Sequence, residues 1–148
     1  MKKSYRSPRR MDAAALAFTI LAPVVMSLYT IYAWGADITA TLTGAQEVPP
    51  VTTNATGTAM LTIGGDRSVS GTITTTGVDA TAAHIHEAPS GKNGGVIVPF
   101  VKSGDKWTIP PGAKLTEPQM KSFQDGNLYV NVHSAANKDG EIRAQLKP

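Results

Sequence analysis

All three histidines of the chain fall in two short segments that favour β-strands, residues 83–86 (AHIH) and residues 129–133 (YVNVH). Because side chains alternate between the faces of a strand, His84 and His86 are expected on one face, roughly 6.5–7 Å apart. The apolar Ile85 then points to the opposite face. If the two segments pair side by side, His133 joins the other two imidazoles in one patch.

Imidazole is the commonest side-chain ligand for metals, and three histidines with an open position suit copper or zinc. The sequence therefore predicts a metal site at His84, His86 and His133, with copper preferred over zinc. The alternative is that the histidines are half-exposed polar residues bonded to neighbouring Thr and Asn side chains.

Further side chains are candidates for supporting that site. Tyr129 and Asn131 share the face of His133 and could fix an imidazole tautomer, as metal-bound histidines usually require. Met60 is predicted to lie opposite the core-facing Leu61, and its thioether would suit Cu(I) as a fourth ligand. Methionines of this kind more often pack beneath a loop.

The acidic residues give weaker candidates. Glu87 directly follows the histidine pair but alternates to the other face, and Glu47 reaches the site only if its proline-containing loop folds over it. Glu141 and Arg143 lie two residues apart on one strand, which predicts a surface charge pair. No Gly-x-Ser-x-Gly segment and no cysteine nucleophile is present, so catalysis has little support.

The N-terminal segment resembles an export signal. Residues 1–12 carry five basic residues and one acid, and residues 13–33 carry no charge. The uncharged stretch is close to the ~20 residues that span a bilayer, so a retained anchor is the alternative to cleavage after Gly35 or Ala36. We expect residues 1–36 to be a signal peptide or a membrane anchor. The folded part is then periplasmic or extracellular, and a retained anchor would lie in the inner membrane.

The formal net charge of +3 comes from this leader. Residues 37–148 contain nine basic and ten acidic residues, so no basic surface is expected to bind nucleic acid. The chain has no cysteine, which excludes disulfides and thiolate ligands.

Residues 37–148 are expected to form one all-β domain, an antiparallel Greek-key sandwich or barrel with one short helix. Residues 38–43, 59–63 and 69–73 alternate between apolar and polar or small side chains, and Gly64-Gly65-Asp66 predicts a hairpin turn. Thr116 and Gln119 form a capping-box pattern for the helix. A final hairpin pairs residues 128–133 with residues 141–147.

Five motifs in this order resemble the CHRD domain: residues 45–51 (AQEVPPV), 83–86 (AHIH), 91–94 (GKNG), 129–133 (YVNVH) and 140–143 (GEIR). The resemblance covers nearly all of residues 37–148 and implies a small β-sandwich module. The domain is named for chordin, an extracellular antagonist of growth factors, and also occurs alone in bacterial secreted proteins. The His-x-His strand beside a second histidine strand is also similar to the copper/zinc superoxide dismutase fold, although that two-metal site needs more histidines.

These observations lead to three hypotheses. The first is an exported CHRD-like domain that binds one transition metal and serves in metal handling. The second is a non-catalytic extracellular module that binds a protein partner without metal, for which exposed apolar residues in residues 48–51 would be evidence. The third is a dismutase-like enzyme with a single copper. A membrane contact is expected only through residues 13–33, if they are retained.

Overall fold

The computed structural model describes residues 35–104 and 106–148. The N-terminal signal or anchor, whose uncharged residues 13–33 are expected to form an apolar helix, therefore lies outside the described residues. No helix in the described part is long and apolar enough to cross a membrane. The described chain forms the strands β1 (Ala36–Thr43), β2 (Thr56–Ile63), β3 (Val69–Thr76), β4 (Ala80–Glu87), β5 (Gly95–Pro99), β6 (Val101–Ser103), β7 (Lys106–Thr108), β8 (Leu128–Ser134) and β9 (Ile142–Leu146), and the helix α1 (Glu117–Gln124).

All nine strands belong to one antiparallel sheet with the order β5-β4-β8-β9-β1-β2-β3-β7-β6. The two strands at the ends of this order, β5 and β6, follow each other in the chain and are separated only by the buried Phe100. The sheet consequently curls into a nearly closed barrel. The predictions of an all-β antiparallel fold with one short helix are confirmed.

The hairpin of β2 and β3 shows why the sequence folds in this way. Ala59, Leu61 and Ile63 alternate with exposed residues along β2, and all three are buried. The period of two places one apolar face in the core and leaves a threonine-rich face in solvent, as β-branched residues favour. Leu61 pairs with Gly71 across the hairpin.

The strands that carry the histidines lie next to each other, which fulfils the condition for the three histidines to converge. Ile85 of β4 pairs with Val130 of β8, and both are fully buried in the core. The next strand, β9, pairs with β8 on its other side and adds Ile142 and Ala144 to the core. The apolar faces of these three strands therefore fix their register, and the same register places the polar residues on the outer face.

The helix begins with the predicted capping box. Thr116 accepts a hydrogen bond from the Gln119 backbone N–H, and the Gln119 side chain accepts one from the Thr116 backbone N–H. Leu115 and Phe123 are buried in the core, which attaches the helix to the barrel. The helix leads directly into β8 and so helps to position one of the two histidine strands.

Candidate metal centre

The three histidines converge on the outer face of β4 and β8. Each offers a ring nitrogen to a group of atoms that all lie within 4.8 Å of one another. His86 is 7% exposed and His133 is 9% exposed, whereas His84 is half-buried and forms the open side of the cluster. The pairing of β4 with β8 thus brings together the three residues that the sequence predicted as metal ligands.

The closest approach within the cluster joins two ring nitrogens. His84 Nδ1 lies 3.0 Å from His133 Nε2. The ring centres are 4.9 Å apart for this pair, 5.5 Å for His84 and His86, and 6.0 Å for His86 and His133. The three rings are therefore near neighbours on one small patch of the sheet.

Backbone carbonyls set the tautomers of two of the rings. His86 Nδ1 lies 2.9 Å from the Gly94 carbonyl oxygen, and His133 Nδ1 lies 2.9 Å from the Lys138 carbonyl oxygen. A carbonyl only accepts hydrogen bonds, so each Nδ1 carries the proton and donates it. Each Nε2 is then left with a lone pair and no proton, in the way that metal-bound histidines are commonly held, and that of His133 lies against His84.

His86 Nε2 has no hydrogen-bond partner among the described residues although it is buried. Buried polar atoms are rarely left without a partner, and such an orphan calls for an explanation such as an ion. A neutral imidazole nitrogen with a free lone pair is a metal donor. The donor set and its geometry therefore fit a transition-metal ion.

Two of the rings are held in the neutral form that a metal requires. Burial, together with the neighbouring imidazoles of His133 and His86, lowers the pKa of His84 to about 4. Burial also lowers the pKa of His86. Protons consequently compete little with a metal for these two rings near neutral pH.

Tyr129 packs against the cluster. Its ring stacks on His86 with ring centres 4.8 Å apart and an angle of 8° between the planes. The Tyr129 hydroxyl accepts a hydrogen bond from the Gly94 backbone N–H at 3.1 Å. Tyr129 therefore holds both the His86 ring and the residue whose carbonyl sets the tautomer of that ring.

Arg143 lies behind Tyr129, with its guanidinium carbon 3.4 Å from the centre of the Tyr129 ring. Arg143 donates to Asn93 Oδ1 and to Gln145 Oε1, each at 3.1 Å, and only 1% of the residue is exposed. The predicted surface charge pair with Glu141 is wrong. Glu141 is also buried and accepts a hydrogen bond from Thr53 instead, because β9 lies beneath the loops that follow β1 and β8.

The proline-containing loop does fold over this region and buries Glu47, which is 5% exposed. Asn131 is 2% exposed, and its side chain lies close enough to Glu47 and to His86 to affect the pKa of both. Asn131 pairs with His84 across β4 and β8. Asn131 and Tyr129 therefore both lie beside the cluster, as their parity predicted.

Two other candidates are not brought to the cluster. Met60 is 61% exposed on β2, three strands away from β8 in the sheet order. Glu87 pairs with Leu128 and accepts a hydrogen bond from Ser122 of the helix. The structure thus separates the predicted thioether ligand from the three imidazoles.

Some residues that shape the site carried no clear signal in the sequence. The carbonyl oxygens of Gly94 and Lys138 are supplied by backbone, which any residue type provides. Arg143 could have been recognised only from the register of the final hairpin, in which it pairs with Asn131 on the same outer face as Tyr129. Pairing of the final hairpin was predicted, but the stacking of side chains across it was not.

Fold and site together define a small all-β module that carries a candidate three-histidine metal centre on its outer face. The CHRD domain profile matches residues 38–146, and the chain belongs to the CHRD domain family. No curated protein matches the chain, and no solved structure matches it. The similarity to the superoxide dismutase fold gains no support from these comparisons.

Proposed function

We propose that this CHRD domain binds one transition-metal ion through His84, His86 and His133, with copper preferred and zinc second. Three neutral imidazoles suit both metals. Cysteine is absent from the chain and Met60 lies far along the sheet, so the ligand set contains nitrogen and no sulfur.

The observation that carries this proposal is the arrangement of the lone pairs. Two buried rings donate their Nδ1 protons to carbonyl oxygens, so their Nε2 atoms carry no proton and keep a lone pair for a metal. His133 Nε2 is paired with His84 Nδ1, whereas His86 Nε2 is buried without a partner among the described residues. An unpaired buried polar atom costs about 1–3 kcal/mol, so a purely structural His86 would more commonly use both of its nitrogens in hydrogen bonds. A bound cation removes that cost at His86.

The proposed role is metal handling, by buffering or delivery of the ion. The half-buried His84 leaves one side of the cluster open to solvent, where water or the ligand of an acceptor molecule can approach. When bound, the metal supplies Lewis acidity or, for copper, one-electron redox chemistry. The protein supplies the three donors, fixes two of their tautomers and excludes water from the back of the site.

We also propose that the domain is exported, with residues 1–36 as signal peptide or anchor. The support is the basic start of the chain followed by 21 uncharged residues, 13–33. Fractionation of cells that express the full chain, combined with mass determination of the product, tests this. A periplasmic product that begins at residue 36 or 37 agrees with cleavage, and intact protein in the membrane fraction agrees with an anchor. Intact protein in the cytosol contradicts export.

Titration of the purified protein with copper and with zinc tests the metal site directly. We expect one ion per chain. Loss of a residue that only hydrogen-bonds to a metal ligand typically weakens binding about 10–100-fold. Loss of a ligand itself, in His84→Ala, His86→Ala or His133→Ala, should weaken binding more than that. Met60→Ala is the matched control, because it removes an exposed candidate donor outside the cluster, and its affinity should equal that of the wild type.

Equal binding by the wild type and the three histidine variants, or no binding at all, would contradict the metal site. A non-catalytic module that binds a protein partner would then be the better account, and the exposed Pro49 and Pro50 would be the first place to look for contacts.

A further inference from the structure

Glu47 is a buried carboxylate at the back of the metal centre. The residue is 5% exposed, and its Oε1 atom has no hydrogen-bond partner among the described residues. Burial of an isolated carboxylate is costly unless it is paired with a charge or protonated. The loop that carries Glu47 folds over the sheet, so the position of this group needs an explanation beyond loop packing.

One connection between Glu47 and the cluster passes through Asn131. A Cβ atom built on Gly140 would lie 2.5 Å from Glu47 Oε1 and 2.7 Å from Asn131 Nδ2, which shows that both atoms meet over this glycine. Asn131 Oδ1 has no hydrogen-bond partner among the described residues, and the side chain lies beside His86. The amide therefore stands between the carboxylate and a metal ligand.

A second connection passes through the stacked side chains. Arg143 is close enough to Glu47 for their charges to interact, and its guanidinium rests on Tyr129, which in turn stacks on His86. Glu47 is thus linked to the same imidazole from two directions. Both links are made of buried groups, for which electrostatic interactions are stronger than in water.

The charges in this region are unbalanced without Glu47. The three neutral imidazoles bring no negative charge, and Arg143 already places one positive charge under the site. A metal cation would add one or two more. Glu141 is the other buried carboxylate among the described residues, and it is occupied by hydrogen bonds with Thr53 and Ser134.

We propose that Glu47 is the counter-charge of the metal centre, a positioning residue that acts through Asn131 and Arg143 rather than as a ligand. This inference rests on the proposed function. Burial raises the pKa of Glu47 to about 7, against the lowering effect of Arg143, so the metal-free carboxyl binds a proton more readily than an exposed glutamate does. A cation at the histidines favours the ionised form.

The other charged or titratable groups that face Glu47 come from three parts of the fold. Arg143 lies on β9, and His86 and Tyr129 belong to the stack on β4 and β8. Lys138 and Asp139, in the connection between β8 and β9, line a cleft of about 230 Å³ together with Glu47. Any measured dependence on pH must be compared with variants of these groups.

The test measures the affinities of the wild type and of Glu47→Gln for Cu(II) and for Cu(I), together with the reduction potential of the bound copper. A counter-charge stabilises the doubly charged ion more than the singly charged one. We expect Glu47→Gln to weaken Cu(II) binding about 10–100-fold, as for loss of an outer partner. Cu(I) binding should weaken less, so the reduction potential should rise.

Two variants complete the experiment. Glu141→Gln removes a buried carboxylate away from the stack, and its reduction potential should stay at the wild-type value. Glu47→Asp keeps the charge, so its preference for Cu(II) should be closer to that of the wild type than the preference of Glu47→Gln is. A merely structural role of the loop would not explain this difference.

The outcomes separate the two proposals. If the wild type does not bind copper, the metal centre itself is wrong. If the wild type binds copper and Glu47→Gln binds both oxidation states with the same ratio as the wild type, the counter-charge is wrong and the metal centre stands. If Glu47→Gln does not fold, Glu47→Ala takes its place as the variant without the charge, and a ratio of Cu(II) to Cu(I) affinity equal to that of the wild type contradicts the inference.

Discussion

His84 Nδ1 and His133 Nε2 lie 3.0 Å apart, a separation that holds one proton and no more. Because His133 donates its Nδ1 proton to the Lys138 carbonyl oxygen, its Nε2 can only accept. In the metal-free protein His84 is therefore the donor of this pair. For both atoms to serve as metal ligands, His84 would have to release that proton from Nδ1, to its own Nε2 atom or to solvent.

This relationship predicts how acid affects the metal-free protein. The pKa of His84 is about 4 in the folded protein and 6.5 in the unfolded chain, so the unfolded chain binds more protons between these values. The free energy of unfolding should therefore fall as the pH falls from 6.5 to about 4. Denaturant unfolding of the wild type and of His84→Asn measures this, with a smaller fall in the variant. A ring titration of His84 by NMR with a midpoint near 6.5 would contradict the prediction.

Glu47 should give the opposite dependence. Its pKa is 4.5 in the unfolded chain and about 7 in the folded protein, so the folded state binds more protons between these values. This contribution to stability is fully present below pH 4.5 and is lost as the pH rises through about 7, by at most roughly 3 kcal/mol. Glu47→Gln should thus gain stability relative to the wild type when the pH is raised from 5 to 8. The unfolding free energies of both proteins are measured without metal. A difference between them that stays constant from pH 5 to pH 8 would contradict the raised pKa of Glu47.

Gly140→Ala should disturb both the fold and the metal centre. The residue has a φ of +139°, and an added Cβ would meet Glu47 Oε1 and Asn131 Nδ2 at 2.5 and 2.7 Å. We expect a loss of about 2–4 kcal/mol in the free energy of unfolding and weaker metal binding. Gly112→Ala is the matched control, since it also has a positive φ of +84° but has no atom within 4 Å of the added Cβ. Equal effects of the two substitutions would show that the contact with Glu47 and Asn131 is unimportant.

Tyr129→Phe should separate stacking from hydrogen bonding. The variant keeps the ring on His86 but leaves the Gly94 N–H without its acceptor, which costs about 1–3 kcal/mol. Metal affinity should fall moderately, because Gly94 also holds the Nδ1 proton of His86. Tyr129→Leu removes both interactions and should bind metal more weakly still. If Tyr129→Phe and Tyr129→Leu bind metal equally, the stack does not support the site.

The sequence was sufficient to predict the two strands that carry the histidines and the face on which each histidine lies, whereas the pairing between them was a condition that the structure fulfils. Alternation fixes which side of a strand faces the core, and Ile85, Val130 and Val132 leave little choice of register. The capping box of the helix was equally predictable, because Thr116 and Gln119 lie only three residues apart and bond to each other's backbone. The convergence of His84, His86 and His133 follows from these local rules once the two strands pair.

The surroundings of the cluster could not be predicted in the same way. The burial of Glu47 and Arg143 depends on how loops fold over the outer face of the sheet, and charged residues are ordinarily expected on a surface. The separation of Met60 from the histidines depends on the distance between β2 and β8 around the barrel, which parity does not reveal. Loop paths and strand order are properties of the whole chain.

The two carbonyl oxygens that hold His86 and His133 come from connections, at Gly94 and Lys138, whereas the rings themselves stand on strands of the barrel. The strands therefore determine where the rings lie, and the loops separately determine which nitrogen of each ring carries the proton. Loops tolerate insertions and replacements that strands do not. Grafting a connection of different length between β4 and β5, or between β8 and β9, would change which nitrogen each ring offers while leaving the scaffold intact, and the domain is accordingly a suitable starting point for engineering metal preference.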